Sequence, residues 1–296
     1  MNQIDNHVKQ ISIWSWSELQ QQLDKYSDSL TAPWAYRGVG NTEWALQSSL
    51  ERLNTPLAVE AERYLLATFQ RRVHHYISDP PAKEDDLEWL ALLQHHGAPT
   101  RLLDWTKSQY VALFFALHEL REEGGNCALW AIDLQWCKNQ AMRVIQRIEP
   151  GRTRPIPALD PDESLGMPET FRAVFFTEPP LQFVAPLQPF RMNERLTIQQ
   201  GLFLCPGDLR MSFESNLLAF LKDDFANHVH KIVIPNQLRE EVLAMLNKMN
   251  INRASLFPGI DGFEQSLITN VPIAIHRGTL LTEMTVINNY KEYGFL

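Results

Sequence analysis

The chain has 296 residues, 45% of them hydrophobic and 21% charged, and a formal net charge of −8. This composition is ordinary for a folded protein and excludes disorder as the general state of the chain. The acidic balance argues against a protein whose whole surface binds nucleic acid, although a local basic groove stays possible.

The sequence pattern predicts neither a membrane-spanning helix nor a signal peptide. No apolar run reaches the roughly 18 residues that a membrane-spanning helix needs, and the polar start MNQIDNHVKQ lacks the layout of a signal peptide. We therefore expect a cytoplasmic protein with no membrane partner. Cys127, Cys137 and Cys205 are far apart and show no CxxC spacing, so neither a disulfide framework nor a metal site is expected.

The first third of the chain predicts helices around one extended segment. The S-x-x-E pattern at Ser15–Glu18 is a capping box and predicts a helix directly after it. Ala35–Gly38 is predicted as extended. Thr55 and Pro56 predict the start of a second helix, and "LEWLALLQHH" predicts a third that ends at Gly97.

The remainder alternates irregularly between predicted helices and strands. "SQYVALFFALHELREE" and "NQLREEVLAMLNKMN" are typical of helices, and "CALWAIDL", "LQFVAPL", "RLTIQQGLFLCP" and "HKIVIP" of strands. Residues 149–180 are predicted as a proline-rich, partly irregular insertion, and "ASLFPGIDGFEQSL" as a strand, turn and helix. GxGxxG, GxxxxGK[ST], GxSxG and HExxH are absent. We expect a single α+β domain over residues 1–296 with a core at about 10–270.

The first candidate site is Tyr36-Arg37-Gly38. A guanidinium is a planar fork that can pair with two phosphate or carboxylate oxygens at once. At a strand end it would be fixed before a ligand arrives, and Gly38 would let a ligand or another backbone come close. The structural alternative is an arginine paired to a buried carboxylate.

The second candidate is Leu92–Leu117, an apolar window with several polar side chains, namely His95, His96, Arg101, Asp104, Thr106 and Ser108. Polar groups in such surroundings must be hydrogen-bonded or they are costly. Asp104 or Thr106 could instead cap the helix that follows. Adjacent histidines point about 100° apart on a helix and do not readily bind one metal together.

The third candidate is Asn193–Asp208. If this segment is a strand, Arg195, Thr197 and Gln199 share one face, and Gln200 lies on the other. Amides can bind a ribose hydroxyl without carrying charge. The alternative is an edge strand with one solvated face.

Taken together, these stretches resemble the FRG domain family, which is named for an aromatic-arginine-glycine motif. The motif is Tyr36-Arg37-Gly38, followed by "W.L.SSL.R" in Trp44–Arg52, by "LLQHHGAPTRLLDWTKSQYVALFFAL", by "RLTIQQGLF" and by "IVIP…LFPGIDG". The resemblance extends over about residues 10–270.

A more distant resemblance is to ADP-ribosyltransferases of the arginine-serine-glutamate type, in the order and spacing of three elements. It implies a largely antiparallel split sheet flanked by helices, with NAD as substrate. Arg37 would then hold the pyrophosphate or the nicotinamide ribose, Asp104 and Thr106 would orient that ribose, and Gln199 or Gln200 would stand where the family has a catalytic glutamate.

This resemblance implies a full set of site residues. Catalytic roles fall on Arg37, Asp104, Thr106 and Gln200, and NAD-binding roles on Tyr36, Gly38, His96, Arg101, Trp105, Arg195 and Gln199. The expected reaction is cleavage of the nicotinamide–ribose bond and transfer of ADP-ribose to a macromolecule or to water. A toxin or anti-phage effector role is compatible with such an enzyme, although no residue pattern identifies one.

The sequence departs from the transferase pattern at the third element. A glutamate there stabilises positive charge at the anomeric carbon, whereas glutamine only accepts the hydrogen bond. Asp104 or Glu194 then has to supply the charge. The alternatives are a nucleotide- or nucleic-acid-binding module without turnover and a structural protein–protein module.

Overall fold

The structure is a computed structural model that describes residues 3–27, 33–118, 125–146, 165–222 and 224–269. The strands are β1 (Lys9–Ser12), β2 (Trp34–Val39), β3 (Leu103–Thr106), β4 (Cys127–Asp133), β5 (Val184–Leu187), β6 (Gly201–Pro206) and β7 (Val229–Ile234). The helices are α1 (Trp16–Ser27), α2 (Ala58–Arg72), α3 (Asp86–His95), α4 (Gln109–Leu117), α5 (Leu134–Gln146), α6 (Pro168–Phe175), α7 (Glu194–Ile198), α8 (Phe213–Leu218), α9 (Phe225–His228), α10 (Arg239–Lys248), α11 (Arg253–Leu256) and α12 (Ile260–Thr269).

The seven strands form one mixed sheet in the order β1-β7-β4-β2-β3-β6-β5. β1 runs parallel to β7, and the other neighbours are antiparallel. The prediction of an α+β fold with a largely antiparallel sheet flanked by helices is therefore confirmed.

The sheet is divided between β2 and β3. A single pair, Tyr36 with Thr106, joins these two strands, whereas β2 and β4 share six paired positions and β3 and β6 share four. Beyond the Tyr36–Thr106 pair the two strands diverge. The gap that results separates a half-sheet of β1, β7, β4 and β2 from one of β3, β6 and β5.

Helices cover both faces of the sheet, and β4 shows this most clearly. Ala128, Trp130 and Ile132 belong to one hydrophobic cluster, and Cys127 and Leu129 to the other. Residues from α2, α3, α5, α6 and α8 join the first cluster, and residues from α1, α4 and α10 join the second. Burial on both faces explains why this strand reads as an unbroken apolar run.

Helix α4 packs directly against β2 at Gly38. A Cβ atom built on Gly38 would lie 1.9 Å from the carbonyl oxygen of Ala112 and 2.5 Å from the amide nitrogen of Ala116. Only a residue without a side chain allows this approach. Of the two partners that the sequence suggested for Gly38, a ligand or another backbone, the structure has the backbone of α4 on the Cβ side.

One predicted strand, "RLTIQQGLFLCP", is wrong in its first half only, and another, in "ASLFPGIDGFEQSL", is wrong. Residues 194–198 are helical, because the side chain of Asn193 caps the segment by accepting from the amide of Leu196 at 2.8 Å. Strand β6 begins only at Gly201, after Gln200 reverses the chain with φ 49°. In "ASLFPGIDGFEQSL" the predicted strand is the short helix α11, which Asn252 caps.

Of the predicted insertion at 149–180, residues up to 164 lie outside the described ranges. Its remaining part contains helix α6, and Phe171 of α6 is fully buried in the core. The second half of this segment is therefore part of the packed domain.

Candidate functional site

A cleft of about 850 Å³ lies where β2 and β3 diverge. Its walls come from β2 and β3, from the loop at residues 40–52, and from α3, α4, α7 and the start of β6. The cleft brings together most of the predicted site residues, namely Tyr36, Arg37, Gly38, Asp104, Trp105, Thr106, Arg195 and Gln199.

Arg37 lies in this cleft with most of its hydrogen-bonding capacity unused. Its Nη1 donates to the backbone oxygen of Asp104, while its Nε is buried and has no partner among the described residues. Burial lowers the pKa of the Arg37 guanidinium; the Asp104 carboxylate opposes this shift and the charge of Arg52 adds to it. Arg37 is therefore not the buried ion-paired arginine of the structural alternative.

The three residues of the Asp104-Trp105-Thr106 segment differ in their exposure and in their hydrogen bonds. The side chain of Asp104 is exposed to the cleft. Trp105 is 3% exposed, and its Nε1 has no partner in the described part of the chain. The Thr106 hydroxyl donates to the oxygen of Gln199 at 2.6 Å and accepts from the amide of Ser108 at 3.0 Å. Thr106 thus fixes the turn before β6 and begins the approach to α4.

Tyr36, which pairs with Thr106, also lines the cleft. It is 4% exposed, and its ring lies 5.9 Å from that of Tyr26 in an edge-to-face contact. Burial raises the pKa of Tyr36, and Tyr26 adds to the shift. This phenol is neutral and rigid.

Helix α7 places Arg195 on the facing wall. Burial lowers the pKa of Arg195; Asp104 opposes the shift and Arg253 adds to it. Asp104 therefore acts electrostatically on both Arg37 and Arg195. Gln199, which follows the helix, is held by its Nε2, which donates to the oxygen of Leu256 at 3.0 Å.

Gln200 and Glu194 do not face this cleft. Gln200 is exposed at the turn, where its backbone oxygen accepts from Lys107 at 2.9 Å. Glu194 is exposed on α7 and lies outside the cleft lining. The catalytic role predicted for Gln200 depended on a strand that the structure replaces with a helix and a turn.

Arg101 lies elsewhere, in a buried ion pair. Its side chain is 2% exposed and bonds the carboxylate of Glu62, and its Nη1 donates to the oxygen of Phe175 at 3.0 Å. The guanidinium also lies 4.8 Å from the ring centroid of Phe176. Arg101 joins α2, the segment before β3 and α6, so the structure does not bring it to the cleft.

Of the two adjacent histidines, the structure places His95 at the cleft and not the predicted His96, and His118 after α4 also lines the cleft. The side chains of His95 and His96 are both exposed, but of these two only His95 belongs to the lining. Partial burial lowers the pKa of His95, with smaller contributions from the charges of His96 and Arg195.

Sequence reasoning missed the loop after β2. Trp44, 51% exposed, and Arg52 line the cleft. The amide of Leu46 donates to Glu214 at 3.0 Å, and Ser49 and Leu50 bond the backbone of Thr100. The "W.L.SSL.R" pattern at Trp44–Arg52 was the sequence signal that could have identified this loop.

Positive charge predominates in the cleft of this acidic protein. Arg37, Arg52 and Arg195 line it together with the acidic Glu43 and Asp104. Such a balance attracts anions and raises their local concentration. Within the described ranges, no group of three or more histidine, cysteine, aspartate or glutamate side chains is arranged to hold a metal ion.

Comparison with known proteins identifies a family for part of the chain. The family model described as the FRG domain matches residues 32–124, a span that runs from just before β2 to just after α4 and contains Arg37, Trp44 and Asp104. No curated protein and no solved structure matches the chain. In the part of the chain that the structure describes, no helix is both long and apolar enough to cross a membrane.

Proposed function

Because the chain carries an FRG domain whose Tyr36-Arg37-Gly38 motif lines the cleft, we propose that the cleft binds a phosphate-bearing nucleotide, with NAD as the leading candidate. The observation that carries this proposal is the state of Arg37. One nitrogen is used to bond Asp104, while the buried Nε has no partner among the described residues. A buried donor without a partner is costly, and a phosphate oxygen would supply one.

The surroundings of Arg37 suit such a ligand. Arg52 and Arg195 add positive charge, and the exposed ring of Trp44 offers a stacking surface for a base. The cleft volume of about 850 Å³ lies within the range of roughly 300–1,000 Å³ that is usual for ligand sites.

The catalytic form of the proposal is cleavage of NAD. The bond between nicotinamide and ribose breaks, nicotinamide leaves with the electron pair, and a macromolecule or water bonds to the anomeric carbon and loses a proton. The carboxylate of Asp104, exposed to the cleft beside Arg37, would stabilise the positive charge that develops on the ribose. Of the two carboxylates that the sequence offered for this charge, Asp104 lines the cleft and Glu194 does not.

The second candidate is nucleotide binding without turnover. It is favoured by the composition of the wall from α7 to β6, where Asn193, Arg195, Leu196, Gln199, Gly201 and Phe203 line the cleft and none is acidic. If a carboxylate is needed on this wall, the site binds a nucleotide and releases it unchanged.

One experiment separates these candidates. The full chain is incubated with NAD, free nicotinamide is measured by chromatography, and binding of NAD is measured by calorimetry. The enzyme proposal expects nicotinamide release that Asp104→Asn abolishes while binding persists, and Arg37→Ala should remove both. Binding without nicotinamide supports the second candidate, and an absence of binding to NAD, ADP-ribose and short RNA contradicts both.

The cytoplasmic location stays a prediction from the sequence. A role as a toxin or defence effector stays a prediction that is only compatible with such an enzyme, and the sequence names no particular acceptor of ADP-ribose.

A further inference from the structure

Phe257 contacts two arginines, one of which lines the cleft. The guanidinium carbon of Arg195 lies 4.5 Å from the centroid of the Phe257 ring, and that of Arg253 lies 4.8 Å from it. Both distances are within the range in which a cation is attracted to an aromatic face. The ring also meets Phe115 of α4 edge-on at 5.9 Å, and Phe115 is part of the cleft lining.

Leu256, the residue before Phe257, holds the turn that follows α7. Leu256 accepts from the Nε2 of Gln199 at 3.0 Å. Helix α7 is therefore attached to two consecutive residues, Leu256 and Phe257, at the end of α11. This attachment fixes where Arg195 stands relative to β3.

Within the described ranges, the guanidinium of Arg195 makes no hydrogen bond and no ion pair. It contacts the Phe257 ring, and its N–H donors stay available to a ligand. Its charge and that of Arg37 both lie near the Asp104 carboxylate, and Arg253 adds a like charge close by. The two carboxylates of the cleft lining, Glu43 and Asp104, cannot balance these three cations together with Arg52. Two linked phosphates could pair with Arg37 and Arg195, whereas one phosphate would leave one of them unpaired.

We propose that Phe257 is a positioning residue that holds Arg195 as the second phosphate-binding cation of the cleft, so that the site selects nucleoside diphosphates and their esters over nucleoside monophosphates. This inference rests on the proposed binding of a nucleotide phosphate at Arg37. It assigns the selectivity to α7 and α11, which lie outside the span that matches the family model.

The test measures ADP and AMP affinities of the full chain by calorimetry. Wild type should bind ADP at least about tenfold more tightly than AMP. Phe257→Leu should weaken ADP binding by about threefold to tenfold, the range expected for loss of one cation–aromatic contact, and leave AMP binding within about twofold. Phe257→Tyr keeps an aromatic face and should restore ADP binding.

A double-mutant cycle shows whether Phe257 acts through Arg195. In an Arg195→Gln background, Phe257→Leu should have no further effect on ADP affinity. An equal loss in both backgrounds overturns the positioning role. Where Phe257→Leu lowers the melting temperature too far for titration, Phe257→Met replaces it, since methionine fills irregular core space but has no aromatic face, and it should lose ADP affinity similarly.

The test distinguishes failure of the proposed nucleotide binding from failure of the role proposed for Phe257. No binding of either nucleotide to wild type overturns the proposed function together with this inference. Tight but equal binding of ADP and AMP to wild type, or ADP binding that Phe257→Leu leaves unchanged, overturns the inference alone.

Discussion

Arg37 and Asp104 meet across the point where the sheet divides. Nη1 of Arg37 donates to the backbone oxygen of Asp104, although β2 and β3 share only the Tyr36–Thr106 pair. The side chain thus makes a connection that the strand backbones do not make. The contact uses the carbonyl of Asp104, so its carboxylate stays available to the cleft.

The first prediction concerns Arg37→Lys. Lysine keeps the charge but loses the planar fork, so it cannot bond Asp104 and a phosphate in the same way. Affinity for NAD should fall by about tenfold to a hundredfold, as expected for the loss of charge-assisted hydrogen bonds. Calorimetry measures the affinity.

Arg210→Lys is the matched control, because Arg210 is exposed and paired with Glu178 away from the cleft. It should leave NAD affinity unchanged. An Arg37→Lys protein that binds NAD as tightly as this control would remove Arg37 from the binding site.

The second prediction concerns Gly38→Ala. The new Cβ would lie 1.9 Å from the oxygen of Ala112, so α4 must move away from β2. Crowding in a packed core costs about 1–3 kcal/mol of the free energy of unfolding, and more where backbone atoms must shift. Gly125→Ala is the control, since a Cβ there has no described neighbour within 4 Å. Equal urea denaturation midpoints for the two variants would contradict the close approach of α4.

The third prediction concerns the buried pair of Glu62 and Arg101. Glu62→Gln leaves the buried guanidinium without its counter-charge, which should lower the free energy of unfolding by about 3–5 kcal/mol. Glu178→Gln, which removes the exposed partner of Arg210, should cost less than about 1 kcal/mol. Urea unfolding measures both, and similar costs would contradict the structural role given to Arg101.

Arg101 also shows where sequence reasoning reaches its limit. Arg37 and Arg101 both stand in apolar surroundings, and either could be a ligand-binding or an ion-paired residue. The choice depends on Glu62, which lies 39 positions from Arg101 on α2, and no local pattern links the two. Tertiary packing alone decides which arginine stays available.

Local patterns succeeded where the signal was local. The apolar run of β4, the serine before α1 and the arginine-bearing strand β2 were all predicted. The failure at residues 194–198 has a local cause as well, because the cap at Asn193 outweighed an alternation that favoured a strand. Trp44 and Arg52 joined the cleft only through contacts that fix their loop to Thr100 and Glu214.

The fourth prediction concerns Gln200→Ala. The side chain is exposed and lies outside the cleft, so NAD affinity and any nicotinamide release should stay within about twofold of wild type. Arg195→Ala, which alters the cleft wall on the neighbouring helix, should weaken ADP binding by about tenfold or more. A loss of turnover in Gln200→Ala would restore the role that the resemblance first implied.

The fifth prediction concerns pH and His230. Its Nδ1 lies 2.8 Å from the hydroxyl of Tyr26, and Trp34 packs against the ring at 5.0 Å. Burial lowers the pKa of His230 to about 4; Lys9 and His228 also lower it, and hydrogen bonds with the backbone of Ala226 and Asn227 oppose the shift.

Between about pH 6.5 and pH 4 the unfolded chain binds a proton at residue 230 that the folded protein does not. The free energy of unfolding should therefore fall as pH decreases through this window, and His230 should contribute about 2 kcal/mol of that loss once solvent screening is allowed for. In His230→Gln this contribution disappears. Urea unfolding of both proteins at pH 7 and pH 4.5 measures the difference. Because every other titrating group is common to the two proteins, equal losses of stability would show that folding does not lower the pKa of His230.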